Sequence, residues 1–268
     1  MNKINHPKTP SDRRIKKLLR KHLFGRNIFC PECRSYRVVR HEERYRCRNC
    51  KCRFSLLSHT WLAHCRLPLT KLWEVIWCFI NRIPVKQAQS FTELSEKAVR
   101  HWYDTLRTQL PKEQKQLDGV VQIDEVYMGG WGGRAIIAAK STLKGTIVME
   151  VLPSYEVSRP QIIDFITEYV KPYSLVQTDG SPLYARIESY CRVYHRRDIH
   201  KKFEFHLTSE IEGLFGVLRT FIRRMYHHVT KDKLPEYVHE FCVRFSRKEY
   251  FISPHQFLLK TLRLVTLR

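Results

Sequence analysis

The sequence has no hydrophobic run that approaches the roughly 20 consecutive apolar residues needed to cross a bilayer. The N-terminal residues Met1 to Pro7 also lack the apolar stretch of a signal peptide. We therefore expect an intracellular, reducing location. In such a compartment the nine cysteines are better explained as metal ligands or buried thiols than as disulfides.

Acidic side chains are scarce. Asp and Glu number 26 against 48 Lys and Arg, which gives a net charge of +22. A basic balance of this size implies a polyanionic partner and says little about the fold. The 12% aromatic content and the scattered arginines favour nucleic acid over a membrane surface. With 268 residues, 43% of them hydrophobic, the chain is long enough for about two domains with small appendages.

Two CxxC pairs stand near the N-terminus, Cys30-Pro31-Glu32-Cys33 and Cys47-Arg48-Asn49-Cys50. Four thiolates at this spacing satisfy tetrahedral zinc and leave no open position. The pattern predicts a structural zinc ribbon whose intervening segment forms a hairpin. Cys52 offers an alternative to Cys50 as the fourth ligand. The remaining candidates are interpreted as packing residues or buried thiols: His59, His64, Cys65, Cys78, Cys191 and Cys242.

Basic residues surround this predicted ribbon. Arg37 and Arg40 lie between the two cysteine pairs and are predicted to contact DNA phosphates. The preceding arm, from Arg13 to Lys21, is a basic amphipathic stretch. It either binds DNA or forms a solvated helix face, and the sequence does not separate these two interpretations.

Helical periodicity predicts helices from Leu69 to about Ile83, near 85–90 and from Glu96 to about Leu110. This order is compatible with a helix-turn-helix, and the alternative is a helical linker that packs on the core. Basic residues are expected on the outward face of the last helix: Lys97, Arg100, His101 and Arg107. Lys97 and Arg100 are predicted to bind DNA.

From residue 119 onward the pattern changes to short apolar runs. It predicts strands at 120–123, 134–139, 146–152 and 175–178, another near 191–194, a helix at 158–170 and a long helix from about Ser209 to Tyr226. A glycine-rich loop at 129–133 joins the first two strands. Three strands in hairpin order, a helix, another strand and later helices predict an α/β fold with a mixed sheet of ribonuclease-H type. In that architecture the first and fourth strands are neighbours.

Three carboxylates stand at notable places in this pattern. Asp124 and Asp179 each follow a predicted buried strand, and Glu212 lies on the long amphipathic helix. A carboxylate at the end of a buried strand is costly unless a cation or hydrogen bonds hold it. Taken singly, each acid is better explained as structural, and Asp179-Gly180-Ser181-Pro182 is a good turn sequence. Their combination in a strongly basic chain favours a magnesium site instead.

These features, in this order, resemble bacterial insertion-sequence DDE transposases, in particular the ISXO-type branch related to Merlin elements. The resemblance covers about residues 25 to 248. It rests on the four-cysteine ribbon, the segment from Thr60 to Leu106, and three motifs: Val121-Gln122-Ile123-Asp124-Glu125, Thr178-Asp179-Gly180 and Ile211-Glu212-Gly213.

The resemblance implies an integrase-like catalytic domain in which Asp124, Asp179 and Glu212 bind Mg²⁺ or Mn²⁺. It further implies one structural zinc, double-stranded DNA as partner (terminal inverted repeats and target), and a homodimer or higher oligomer on DNA in the bacterial cytoplasm, associated with the nucleoid. Two metal ions about 4 Å apart would then serve in-line attack on a phosphodiester. Glu125 is expected on the opposite face of its strand.

Further DNA contacts are predicted beyond the carboxylates. Arg219, Arg223 and Arg224, on the helix of Glu212, are predicted to contact phosphates, with a solvated helix face as the alternative. His227 and His228 could touch substrate. The resulting division is a basic arm (1–24), a zinc ribbon (25–60), a helical DNA-binding segment (61–110), the catalytic domain (118–250) and a C-terminal tail (251–268).

Three positions depart from the family pattern. Ser209 and Ser246 stand where Asn is common, and Phe215 stands where Trp is common. Two other functions therefore stay open. One is a zinc-ribbon DNA-binding regulator on a catalytically decayed fold, and the other is a nuclease without strand transfer.

Overall fold

A computed structural model describes residues 9–112, 116–129, 133–198, 208–226 and 229–266. Two expectations lie outside these residues: the roles of His227 and His228, and the middle of the glycine-rich loop at 130–132. The described chain forms two compact units. One contains the residues up to Leu106 together with those from Glu249 onward, and the other runs from Arg107 to Lys248.

The helices and strands follow one another in a mixed order. In chain order they are α1 (Asp12–Phe24), β1 (Val38–His41), β2 (Arg44–Cys47), β3 (Arg53–Phe54), α2 (Leu69–Ile80), α3 (Val85–Thr92), α4 (Glu96–Thr108), β4 (Val120–Met128), β5 (Arg134–Ser141), β6 (Ile147–Val151), α5 (Arg159–Tyr169), β7 (Leu175–Thr178), β8 (Tyr194–Arg197), α6 (Ser209–Tyr226), α7 (Leu234–Ser246) and α8 (Pro254–Thr261). Among the described residues, no helix is both long and apolar enough to span a bilayer.

Helix α1 packs through one apolar face. Ile15, Leu19 and Leu23 recur every four residues and are buried, while the basic residues between them are largely exposed. The helix ends at Gly25, whose φ of 67° suits a residue without a side chain, and whose N–H donates to the Lys21 carbonyl at 3.0 Å. The basic arm is therefore an amphipathic helix with its charges toward solvent.

The C-terminal segment belongs to the first unit. Phe257 of α8 is fully buried and its ring lies 6.0 Å from that of Phe79 on α2. His22 Nε2 lies 2.9 Å from the carbonyl oxygen of Leu262, and the N–H of Val265 donates to the His59 carbonyl at 2.8 Å. The part of the chain expected as a tail thus supplies core residues to this unit.

The second unit is built on a five-stranded sheet with the order β6-β5-β4-β7-β8. Strands β4, β5 and β6 pair antiparallel, whereas β7 pairs parallel with both β4 and β8. Helix α5 connects β6 to β7. Because β7 pairs parallel with β4, the chain reaches it through a crossover connection and not through a tight turn. This arrangement confirms the predicted mixed α/β fold of ribonuclease-H type, including the neighbouring first and fourth strands.

The two faces of β4 are covered differently. Val121 and Ile123 belong to a buried apolar cluster with Ile162 and Phe165 of α5. Alternate residues of a strand point to opposite faces, so Gln122 and Asp124 share the other face. There the Gln122 side-chain oxygen accepts a hydrogen bond from the backbone N–H of Ile211 at 3.1 Å, at the start of α6.

Several predicted boundaries were wrong. Strand β4 continues to Met128 because β5 pairs with it along its length, from Val121↔Ser141 to Met128↔Arg134. Asp124 therefore lies within a strand and not at its end. The last strand begins at Tyr194, where the register Leu175↔Tyr194 starts.

The expected orientation of Arg107 was also wrong. Its side chain is 2% exposed and its Nε lies 2.8 Å from Glu240 Oε2. The buried carboxylate of Glu240 on α7 thus explains why Arg107 is buried, although helical periodicity predicted an outward position.

Candidate functional site

The sheet register brings Asp124 and Asp179 side by side. The parallel pairs Val120↔Leu175, Val121↔Val176 and Gln122↔Gln177 define a constant offset between β4 and β7. Continued by two residues, that offset sets Asp124 opposite Asp179, directly after the end of β7. Residues opposite each other in a parallel pair point to the same face, so the two carboxylates are neighbours.

Helix α6 adds the third carboxylate on this face. Because Ile211 is bound to Gln122 of β4, the first turn of the helix lies over the face that carries Asp124. Glu212 follows Ile211 and is exposed, and its Oε1 accepts a hydrogen bond from the Thr208 hydroxyl at 3.0 Å. Sequence reasoning missed Gln122, although its position two residues before Asp124 indicates that both share one face.

The carboxylates influence one another electrostatically. Burial raises the pKa of Asp124 to about 6, and the negative charges of Asp179 and Glu212 add to the rise, while the backbone N–H of Glu125 opposes it. Among the described residues, no Lys, Arg or His forms an ion pair with any of the three. The site therefore concentrates negative charge in a chain that is otherwise strongly basic.

Like Glu212, the two aspartates accept local hydrogen bonds. Asp124 Oδ1 accepts from the N–H of Glu125 at 2.8 Å. Asp179 Oδ1 accepts from the N–H of Ser181 at 3.0 Å, so Asp179 also serves the turn that its sequence predicts.

The carboxylate oxygens are not gathered as tightly as the ligands of one ion. Mg²⁺–oxygen distances of about 2.1 Å leave ligand oxygens at most about 4.2 Å apart. In the described part of the chain, four cysteines have ligand atoms that all lie within 4.8 Å of one another. The oxygens of the three carboxylates do not lie within this distance of one another. Their oxygen chemistry suits Mg²⁺ or Mn²⁺, but simultaneous binding of one ion requires side-chain movement.

Glu125 lies on the other face of β4, as expected. Burial raises its pKa to about 7, the Tyr184 hydroxyl opposes the rise, and the charges of Asp124 and Asp179 increase it. Among the described residues, neither Glu125 Oε1 nor the Tyr184 hydroxyl has a hydrogen-bond partner of normal geometry. Glu125 is thus a half-buried carboxyl group on the opposite face of β4 whose pKa still responds to the charges of Asp124 and Asp179.

The four cysteines of the ribbon converge on one point. The Sγ atoms of Cys30, Cys33, Cys47 and Cys50 lie within 4.8 Å of one another, with Cys30–Cys50 at 3.5 Å and Cys33–Cys47 at 3.6 Å. A tetrahedral ion with Zn–S bonds of about 2.3 Å places its sulfurs about 3.8 Å apart, so the cluster fits zinc. Strands β1 and β2 pair Val38 with Cys47, which brings the second CxxC pair back to the first.

The four sulfurs and nearby backbone groups shift one another's pKa values in opposite directions. A backbone hydrogen bond from Ser35 lowers the pKa of Cys33 to about 6. For Cys50 the backbone N–H of Cys52 lowers the pKa, but burial and the three neighbouring sulfurs together raise it to about 12. Four adjacent thiolates repel one another unless a cation neutralises them.

The other cysteines and histidines do not join this cluster. Cys52, the alternative ligand, stands outside the four-sulfur group, and its carbonyl accepts from the N–H of Cys47 at 2.9 Å. His59 is buried with its Nδ1 3.2 Å from the Val265 carbonyl oxygen and 3.3 Å from Glu32 Oε1. Cys78, Cys191 and Cys242 are buried free thiols.

The exposed face of α6 carries the predicted arginines. Arg219 and Arg223 follow Glu212 by two and three helical turns and are exposed. At 1.5 Å per residue they stand about 10 and 16 Å from Glu212 along the helix. The carboxylate and the two arginines thus form one exposed stripe on a single helix.

The remaining predicted DNA-binding residues occupy the first unit. Arg37, Arg40 and Lys97 are exposed. Arg100 is exposed as well, but its guanidinium forms an ion pair with Glu96 one turn earlier at 2.7 Å. These four residues belong to the first unit, and the three carboxylates belong to the second.

The three family departures have structural roles here. Ser209 begins α6 and Phe215 is buried on its inner face. The Ser246 hydroxyl accepts from the N–H of Ile147 at 3.2 Å, so it holds the end of α7 against the first residue of β6.

Comparison with known proteins places these observations in a family context. Residues 116–246 match the family model of the ISXO2-like transposase domain. An uncharacterized protein in the transposable element ISH50 of Halobacterium salinarum is 23% identical over an alignment of 286 positions, and the alignment covers 94% of this chain and 96% of that protein. A chain in the cryo-EM structure of a simian T-cell lymphotropic virus intasome with the PP2A regulatory subunit B56 gamma is 12% identical, with a TM-score of 0.40 over 66% of this chain and 74% of that one.

The family match spans β4 to α7 and so includes all three carboxylates, while the ISH50 relative extends over both units of the chain. Residues 116–246 therefore match an ISXO2-like transposase domain, and the predicted resemblance of this chain to insertion-sequence transposases is confirmed.

Proposed function

We propose that this protein is a DNA transposase that binds the ends of an insertion sequence and catalyses metal-dependent DNA cleavage and strand transfer. The observation that carries the proposal is the neighbouring position of Asp124 on β4 and Asp179 directly after β7, with Glu212 on the helix bound to β4. Three carboxylates without a described basic partner, inside a domain of the transposase family, are suited to hold divalent cations.

In this proposal Asp124, Asp179 and Glu212 hold Mg²⁺ or Mn²⁺. When bound, such ions activate the attacking oxygen and neutralise charge on the leaving oxygen of an in-line phosphodiester displacement. The rigid sheet keeps the two aspartates in register, so they need little rearrangement. Glu212, which is exposed and bound to Thr208, supplies the adjustable carboxylate that completes the site.

Helix α6 supports the binding of DNA next to these carboxylates. Arg219 and Arg223 can contact successive phosphates leading away from Glu212. Gly213 and Gly216 are exposed on the same helix, and a side-chain carbon at either position would meet nothing within 4 Å. Glycine in a helix costs about 1 kcal/mol relative to alanine, so its use here is explained by close approach of a DNA backbone.

The test is cleavage of DNA that carries the terminal repeats flanking the gene. Asp124→Asn, Asp179→Asn and Glu212→Gln each remove a ligand charge with little change in shape. We expect each to abolish magnesium-dependent cleavage, while DNA binding stays close to that of the unmodified protein. Retained cleavage in two of the three variants would refute the assignment.

Matched controls come from neighbouring carboxylates. Glu125→Gln alters the opposite face of β4, and Glu210→Gln lies on α6, where Glu210 forms an ion pair with Lys140 at 2.6 Å. Both are expected to retain cleavage. Two outcomes would support the alternatives: specific binding without any cleavage indicates a regulator, and cleavage without joining of the 3′ ends to target DNA indicates a nuclease.

A further inference from the structure

A cleft in the first unit lies between helix α1 and the cysteine ribbon. It has a volume of about 640 Å³, within the range of about 300–1,000 Å³ typical of ligand sites. Arg20 of α1 stands on one wall, Tyr36 and Arg40 of the ribbon stand on the other, and Asn27 lies in the connection between them. Among the described residues that line it there is no carboxylate, so the cleft has a positive electrostatic character.

A chain of aromatic rings holds the two walls in fixed relation. Phe24, at the end of α1, lies 5.4 Å from Phe29 and 6.2 Å from Phe54 between ring centroids. Phe29 in turn contacts Tyr36 at 6.0 Å, and Phe54 contacts Tyr45 at 5.5 Å. The helix and the ribbon are therefore parts of one packed structure, and the cleft between them is preformed.

The side chains of the cleft keep their binding groups available. Tyr36 is 70% exposed although Phe29 supports one edge of its ring, so a large aromatic face is open to a ligand. Arg40 donates through its Nε to the Glu42 carbonyl at 3.0 Å, and its terminal nitrogens make no hydrogen bond to another described residue. Arg20 is exposed on the opposite wall.

We infer that this cleft binds one strand of DNA, with Arg20 and Arg40 contacting phosphates and Tyr36 packing against a base or sugar face. Guanidinium groups on both walls match the repeated charge of a phosphodiester backbone, and base–aromatic stacking works with any base. The inference rests on the proposed function, because it names the first-unit surface through which a transposase would hold its DNA.

The experiment measures the affinity of the full-length, zinc-loaded protein for a fluorescent duplex bearing the terminal repeat, over a range of salt concentrations. Arg20→Ala with Arg40→Ala should lower the slope of log affinity against log salt by about 1.8, which corresponds to two phosphates. Arg14→Ala with Lys21→Ala removes the same charge from exposed sites on α1 outside the cleft, and should leave the slope nearly unchanged.

Tyr36 supplies an independent readout that does not involve charge. Tyr36→Ala should weaken binding about five-fold or more with no change of slope, whereas Tyr36→Phe should bind like the unmodified protein. Zinc content and thermal melting should be equal in all variants, because the altered side chains are exposed. Equal slopes for the two double variants, or unchanged affinity in Tyr36→Ala, would overturn the inference.

The same samples separate this inference from the proposed function. If the unmodified protein cleaves DNA but the cleft variants bind like their controls, the cleft assignment fails and the transposase proposal stands. If the cleft variants lose binding but the unmodified protein never cleaves or joins DNA, the cleft assignment stands and the catalytic proposal fails.

Discussion

Gln122 is the side chain that joins strand β4 to helix α6. Its oxygen accepts the N–H of Ile211 at 3.1 Å in the first turn of α6, and the same N–H also donates to the Thr208 carbonyl at 3.1 Å. Since Gln122 is 4% exposed, this bond is shielded from water, and a hydrogen bond of this kind contributes about 0.5–1.5 kcal/mol. One buried amide thus links the first turn of α6, which carries Glu212, to the strand that carries Asp124.

Replacement of Gln122 by Met should therefore affect metal use more than folding. We expect Gln122→Met to raise the Mg²⁺ concentration needed for half-maximal cleavage, with partial recovery at high Mg²⁺, because Glu212 is no longer held over β4. Gln122→Glu retains an acceptor oxygen and should restore much of the loss. A Met variant whose Mg²⁺ dependence equals that of the unmodified protein would show that the amide has no positioning role.

The ligand choice in the ribbon is also decided at single residues. Cys50→Ser should release zinc and unfold the ribbon, because three thiolates hold the ion more weakly than four. Cys52→Ser should retain zinc, because Cys52 stands outside the four-sulfur group. Zinc content measured by elemental analysis under reducing conditions checks both, and the reverse result would move the fourth ligand to Cys52.

At the scale of helices, α6 and α7 are joined by a buried charge network. Glu240 is fully buried and accepts from Arg107 and Arg244, each at 2.8 Å, and from the Tyr226 hydroxyl at 2.7 Å. The Arg107 guanidinium also lies 4.2 Å from the ring centroid of Tyr237. This network fixes the C-terminal end of α6, whose first turn carries Glu212.

The pH dependence of stability follows from this network. Burial alone would raise the pKa of Glu240, but the charges of Arg244 and Arg107 outweigh it and hold the pKa below its usual value. A lowered pKa stabilises the fold at pH values above the unfolded pKa of about 4.3, and this contribution is lost as the pH falls through the folded pKa. Glu240→Gln should lower the free energy of unfolding by about 3–5 kcal/mol at neutral pH. The stability of this variant should also fall less steeply as the pH is lowered.

Thermal melts of the full chain between about pH 3 and 7 measure this effect. Glu236→Gln is the matched control, since Glu236 lies on the same helix in a partly exposed ion pair with Lys233 at 3.1 Å. Its effect should stay within about 0.5 kcal/mol. If the two variants lose equal stability, the Glu240 network does not hold α6 and α7 together.

At the scale of the whole molecule, the first unit is assembled from both ends of the chain. Phe257 and Leu262 of the C-terminal segment are fully buried, and each buried apolar side chain of this size contributes about 1.5–3 kcal/mol. Removal of residues 249–268 should therefore destabilise the first unit by several kcal/mol and leave the sheet of the second unit intact. Phe257→Ala should reproduce part of this loss.

Thermal unfolding can be followed separately for the two units. Zinc release reports on the first unit, and the circular dichroism signal of the β-sheet reports on the second. Ile252→Ala is the control, because that side chain is 70% exposed and should be replaceable without cost. A truncated protein whose ribbon retains zinc at the temperature of the full chain would contradict the prediction. We expect residues 1 to about 110 to recognise the ends of the insertion sequence. A fragment that tests this expectation must also include residues 249–268, because they are part of the folded first unit.

The sequence by itself determined the features that depend on local spacing. Two CxxC pairs predict their own metal site because each pair forms a tight loop, and apolar runs flanked by Asp124 and Asp179 predict two strands of a mixed sheet. Strand β7 and helix α6 were predicted with the boundaries that the structure has, since their periodicity is uninterrupted.

Tertiary structure decided what depends on a partner distant in sequence. Pairing with β5 extended β4 beyond Asp124. Glu240 drew Arg107 inside, because a fully buried, ionised carboxylate is costly without a cation beside it. The return of α8 to α2 and the cleft between α1 and the ribbon have no local sequence signal. They arise because two apolar faces stabilise the fold when each is buried against the other. Periodicity in the sequence identifies an apolar face but does not show which other face it packs against.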